Sequence, residues 1–225
     1  MDTRGPMAPK EWYHCYNRGV DKRRVFEDTA DYERLLALLY ICNGTKNIQI
    51  ADRYDRSLEA ILLDKLVDRG DPIVEIGAYS LMPNHLHFIF QQIQEGGIAL
   101  FMQKVFTGYT MYFNKKYVRT GALFAGTFKS KHISDDRYLK QVVPYVLFNP
   151  IELYEPHWKK GTGNIDRIKK QLLDYPYSNF PDLFGEERLQ NKLLGTALRE
   201  FYPRPSVKEM LKNAQAYYIE HSPKV

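Results

Sequence analysis

The chain has 225 residues, 44% of them hydrophobic, which suits one domain with additions better than two independent domains. Its 32 Lys and Arg against 27 Asp and Glu give a formal charge of +5 and a pI near 9.0, a balance mildly favourable to a polyanionic partner. The longest apolar run, Leu35 to Cys42, is far short of the roughly 20 residues that span a bilayer, and Met1 to Trp12 holds no apolar signal core; the expectation is a cytoplasmic protein with no membrane anchor. The only two cysteines, Cys15 and Cys42, have no Cys-x-x-Cys spacing, which argues against a disulfide framework or a thiolate zinc site.

In chain order, Trp12 to Asn17 is rich in aromatics and reads as a first strand, followed by a basic turn, Arg18 to Arg24. Asp28 or Thr29 can cap a helix on which Tyr32, Leu35, Leu36, Leu39 and Tyr40 recur at helical spacing until Asn43-Gly44 stops it. Residues 45–72 are polar, with a short amphipathic stretch from Leu58 to Val67, and read as an insertion. Ile73 to Leu81 and His85 to Gln91 form two strands around the turn Met82-Pro83-Asn84. Gly96-Gly97 opens a long amphipathic helix to about Tyr117. Gly121 to Ser134 reads as a further strand, and Asp135-Asp136 caps a helix from Arg137 to Asn149 that Pro150 ends.

The order β-α-β-β-α-β-α is an α+β pattern: a ferredoxin-like, RRM-like split βαβ core, an antiparallel sheet with helices on one face, plus a late helix. Helical segments near 187–200 and 206–221 are expected beyond it. The division expected is a domain over 1–180, with 45–72 inserted, and a C-terminal helical extension over 181–225.

His85-Leu86-His87 carries the chemistry. On a strand, side chains two apart share a face, so both imidazoles project together while Leu86 points the other way. Two neutral imidazoles on one face can bind a divalent ion. Six histidines in this length give roughly 0.16 chance pairs at that spacing, so the pair alone does not define a metal site. Basic residues interleaved with aromatics, as in Phe113 to Arg119 and Phe124 to Lys131, suit a single strand held by phosphate pairing and base stacking. Solvated lysines lying over apolar surface produce the same pattern.

The segment Leu81 to Phe90, centred on His85-Leu86-His87, resembles the His-hydrophobic-His segment of the single-tyrosine HUH transposases, and most closely their REP-associated branch. Other similar segments occur in the same order: Tyr13 to Gly19 for the opening strand and turn, Phe101 to Gln103 with Tyr109 to Tyr117 for the long helix, Gly121 to Lys131 for the next strand, Tyr145 to Pro150 for the nucleophile helix, and Tyr175 to Phe180 for the aromatic segment after it. The resemblance covers about residues 12–180.

It implies a nucleophilic Tyr145, five residues before the proline of the Asn-Pro pair, although the chain has 17 tyrosines. Asn149 lies one turn on from Tyr145, where its amide oxygen could be a third metal ligand beside His85 and His87; a helix C-cap is the structural alternative. The implied cofactor is a divalent ion, Mg²⁺ or Mn²⁺, and the implied partner is hairpin-forming single-stranded DNA, bound by a monomer or a homodimer. Candidate DNA contacts are Arg18, Lys22, Arg23, Arg24, Lys115, Lys116, Arg119, Lys129 and Lys131. Two departures stand out: Pro144 precedes Tyr145, so the helix either restarts there or aims Tyr145 differently, and Thr127 stands where the family often has arginine. Two other functions remain open: a non-catalytic binding module whose aromatic residues stack bases, and a phosphate-ester hydrolase that uses water on the same histidines. Both would be indifferent to loss of Tyr145.

Overall fold

The structure is a computed structural model that describes residues 6–50, 55–159, 164–185, 188–201 and 206–221. Four strands, β1 (Trp12–Arg18), β2 (Val74–Met82), β3 (His85–Gln92) and β4 (Lys129–Ile133), form one sheet in the order β2-β3-β1-β4. Each pairing in it is antiparallel. This is the strand order of a split βαβ core.

Period-two alternation divides the sheet into two faces. Tyr13, Cys15, Leu86, Phe88 and Phe90 point to one side, into a core closed by α1 (Thr29–Cys42) and α3 (Gly97–Lys116). Ala78, Ile89 and Ile133 point to the other, under α4 (Asp136–Phe148) and α8 (Val207–His221). Between Ile76 and Ala78 the register slips by one residue. Gly77 sits in this bulge, where an added Cβ would come within 2.7 Å of the Trp12 ring. The bulge lets Ile76 and Tyr79 face the first core while Ala78 faces the second.

Helix starts follow their caps. Asp28 accepts from the Asp31 amide and Asp31 returns the contact, a reciprocal capping box. Asp135 accepts from the Tyr138 amide at 2.8 Å. Helix α4 runs unbroken through Pro144, which leaves the Lys140 carbonyl without its helical donor. The helix does not restart at Pro144; it ends at Phe148 with Asn149 as its C-cap, and Pro150 follows in a 3-10 turn, Asn149–Leu153.

The strand expected over 121–134 is shorter than its sequence suggests. Gly121 and Gly126 have φ of +81° and +79°, and these left-handed residues break the pleat, leaving only Lys129–Ile133 in the ladder. Residues before it form a loop pinned to β1, with the Ala125 amide donating to the Arg18 carbonyl at 2.8 Å.

The polar stretch 45–72 enlarges the first core rather than standing off it. Leu58, Ile61 and Leu62 of α2 (Leu58–Leu63) are buried against α1. The Arg69 guanidinium stacks on Tyr40 and donates to the Tyr40 carbonyl at 2.8 Å. Residues 51–54 lie outside the described residues.

The C-terminal stretch is likewise built into the fold. Helices α5 (Ile165–Leu173), α6 (Phe180–Phe184), α7 (Ala197–Phe201) and α8 contribute Ile168, Leu172, Phe180, Leu198, Met210, Leu211 and Ala214 to the second core, and Leu193 joins the first. The outer edge of β2 is covered as well. The Leu81 amide donates to the Tyr177 carbonyl at 3.0 Å, the Asn179 side chain bridges Tyr79 N and Gly77 O, and the Gly195 amide donates to Ile76 O at 3.0 Å.

Candidate active site

The second sheet face is apolar at one end and polar at the other. Where β1 and β3 approach the end of α4, the alternation places His14, Tyr16 and His87 side by side beneath Tyr145, with His85 at the start of β3. The His87 and Tyr145 rings lie 5.8 Å apart at 85°, and the His85 and His87 rings 5.2 Å apart at 90°. Asn149, one turn after Tyr145, is 1% exposed and donates its amide N–H to the Tyr145 carbonyl at 2.9 Å. Its side chain also lies against both the His85 imidazole and the Tyr145 phenol. The helix thus delivers the phenol and the amide together to the two histidines.

The environment keeps all three imidazoles neutral. Burial holds His14 down to about 3, helped by its neighbours Lys131 and His221. Burial also pushes His87 well below its ordinary value, with His14 and His85 beside it, and lowers His85, where Glu152 opposes the shift. Neutral rings keep lone pairs free for a ligand. Tyr145 goes the other way: burial pushes its phenol up to about 12, opposed by the hydrogen bond with Asn149.

The donor set fits a divalent ion. His85 Nδ1 lies 2.7 Å from the Asn84 amide oxygen, an acceptor, so the ring proton sits on Nδ1 and Nε2 is bare. His87 Nδ1 is engaged by His14 Nε2 at 2.9 Å, which turns the remaining nitrogen toward the site. Two imidazoles bound to one ion at roughly 2.1 Å have ring centres roughly 5 Å apart, the spacing observed here. Asn149 can complete a set of two imidazoles and an amide oxygen. Among the described residues no group of three or more His, Cys, Asp or Glu side chains is placed to hold a metal, so a third ligand drawn from those types is not present.

A cavity of about 490 Å³ opens beside the histidines, lined by Tyr16, Asn17, Arg18, Lys22, Asn84, His85, His87, Ala125 and Lys129. It contains three cations and no carboxylate, a lining suited to a phosphate-bearing ligand. Of the other basic candidates, Arg24 lines an adjoining cavity with Lys22, His85 and Glu152, and Arg23 is exposed on the same turn. Lys131 lies over the Tyr138 ring at 5.1 Å and borders a separate cavity. The C-terminal end of α3 contributes nothing to the lining. Lys115 is exposed, Lys116 is bound to Asp28 and to fully buried Asp31 at 2.7 and 2.8 Å, and Arg119 folds back on Asn114 at 2.6 Å. Thr127 is exposed on the loop before β4.

Four neighbours of the site were not singled out in the sequence: His14, Tyr217, Lys159 and Glu152. The Lys159 ammonium, 2.7 Å from Glu152, lies 6.0 Å from the centre of the Tyr145 ring. Tyr217 of α8 packs on Tyr145 at 4.6 Å. Only His14 left a local signal, the alternation His14-x-Tyr16 on a strand.

A split βαβ sheet with a His-x-His strand and a tyrosine-bearing helix laid on one face defines an α+β protein with helices on both faces of its sheet. That fold is shared with a solved REP-associated tyrosine transposase bound to a REP hairpin: the match has a TM-score of 0.50 at 16% identity and covers 84% of this chain and 89% of that one. No family model and no curated protein matches the sequence. Among the described residues no helix is long and apolar enough to cross a membrane.

Proposed function

We propose that the chain is a divalent-metal-dependent enzyme that cleaves and rejoins single-stranded DNA beside a hairpin, with Tyr145 as nucleophile. The observation that carries this reading is the convergence of Tyr145, Asn149, His85 and His87 on one sheet face beside a cationic cavity. The hairpin bound to the solved relative supports the choice of partner.

His85, His87 and the Asn149 amide oxygen would hold Mg²⁺ or Mn²⁺. Held there, such an ion would supply neutralisation of the negative charge that develops at the reacting phosphate. Arg18, Lys22 and Lys129 draw the strand into the cavity, where Tyr16 offers a ring for stacking. The Tyr145 oxygen attacks phosphorus and gives up its proton; the 3′-oxygen leaves and takes one up. The products are a 5′-phosphotyrosine and a free 3′-hydroxyl. Attack of a 3′-hydroxyl on that ester reverses the step, so strands rejoin without another energy source. Because burial raises the phenol to about 12, its proton must leave with the help of nearby positive charge.

The test is covalent trapping with labelled hairpin DNAs and Mn²⁺ on denaturing gels. A Mn²⁺-dependent adduct that disappears in Tyr145→Phe and in His87→Ala supports the reading. DNA binding by the wild type with no adduct on any substrate overturns it and leaves a binding module.

A further inference from the structure

The two histidines of the strand motif are not supported alike. His85 is oriented by its sequence neighbour Asn84. His87, 8% exposed, is oriented by His14, which is 3% exposed and in turn faces the Tyr217 hydroxyl at 3.4 Å from Nδ1. Tyr217 continues to the Tyr138 hydroxyl at 3.5 Å. The contacts run in a line from α4 through α8 and β1 to β3.

Counting protons along this line has a definite outcome. Each neutral imidazole carries one N–H, and the pair shares a single contact, His14 Nε2 to His87 Nδ1. If His14 donates, the His87 proton sits on Nε2, and the nitrogen facing the site has no lone pair for an ion. If His87 donates, its Nε2 is bare, and the His14 proton must sit on Nδ1, where it needs an acceptor. Tyr217 is that acceptor, and its own hydrogen can turn to Tyr138.

We propose that His14 and Tyr217 are positioning residues that fix the proton of His87 on Nδ1 and so make its Nε2 a ligand. This inference rests on the metal-binding reading of the site, and it is a property of the polypeptide before any ion arrives. Outer partners of this kind orient a ligating histidine and typically change metal affinity 10- to 100-fold when removed. Here the outer partner is another histidine, whose own tautomer has to be fixed by a residue 203 positions further along the chain.

Two-bond ¹⁵N–¹H correlation spectra of the metal-free, ¹⁵N-histidine-labelled full chain read the tautomers directly, with rings assigned by single His→Gln variants. The expected wild-type result is an Nδ1–H tautomer at both His14 and His87. Tyr217→Phe keeps the ring packed on Tyr145 and removes only the oxygen; it should move His87 toward the Nε2–H form and weaken Mn²⁺ binding, followed by electron paramagnetic resonance of the free ion, by about 10- to 100-fold. An Nε2–H tautomer at His87 in the wild type overturns the proposal, and so does a Tyr217→Phe protein that melts like the wild type yet keeps its tautomers and Mn²⁺ affinity. If Tyr217→Phe fails to fold, Tyr138→Phe replaces it: loss of the terminal acceptor should shift the same His87 signals in the same direction, and unchanged signals count against the proposal. Wild-type protein that shows the Nδ1–H tautomer but binds no Mn²⁺ defeats the metal reading of the site while leaving the proton assignment standing.

Discussion

The two faces of the sheet are built from the same strands and do opposite work. On the α1/α3 face, Leu86, Phe88 and Phe90 disappear into a core that needs only volume. On the α4/α8 face, His14, Tyr16 and His87 take the alternate positions, and each polar atom needs a partner. Residues one apart therefore obey different rules. Substitutions on the first face should be felt as stability, and substitutions at the polar end of the second as chemistry.

The largest contrast is expected from Tyr145→Phe, which should lower adduct formation by about a thousandfold or more, read from single-turnover gels, with a melting temperature close to that of the wild type. Across the sheet, Phe88→Ala should cost about 3–5 kcal/mol in urea unfolding while the remaining folded protein keeps its adduct-forming rate. Lys116→Met should behave like a core variant although it removes a surface cation. It leaves buried Asp31 without its ammonium and should cost about 3 kcal/mol, with little change in DNA affinity. Lys129→Ala, at the cavity, should instead weaken DNA binding and reduce its salt slope by about one, with stability unchanged.

A further effect is expected on acid stability. The folded-state value of His14 is held down to about 3 against 6.5, so between these limits the unfolded chain binds a proton that the folded chain does not. Stability should be complete above about pH 6.5 and fall as the pH drops toward 3. His14→Gln should flatten that slope in melting curves taken from pH 7 to pH 4; an unchanged slope would assign the loss to other groups.

How much of this was legible in the sequence follows the same division. Strand alternation and helix caps located β1, β2, β3, α1, α3 and α4, because each is written within a few consecutive residues. The short β4 was overdrawn because Gly121 and Gly126 look like ordinary strand glycines until their positive φ is seen. The motif positions His85, His87, Tyr145 and Asn149 do meet in space, whereas the basic residues at the end of α3 do not line the cavity. His14, Lys159 and Tyr217 were invisible as a group. No spacing rule links positions 14, 159 and 217, and only the folding back of α8 over α4 makes them neighbours. That the polar stretch 45–72 adds to the core was not legible, because its few apolar residues, Leu58, Ile61 and Leu62, reveal their burial only against α1.

One border of the sheet has a consequence for assembly. The outer side of β2 is sealed by the backbone at Tyr177, Asn179 and Gly195, whereas among the described residues β4 is hydrogen-bonded to a neighbouring strand on one side only. Any extended peptide that joined this sheet would have to dock along β4, whose Lys129 stands at the mouth of the cavity. On the function proposed above, polymerisation through the sheet and entry of a nucleic-acid strand would compete for this edge, and lysines that favour the second would repel copies of themselves and discourage the first.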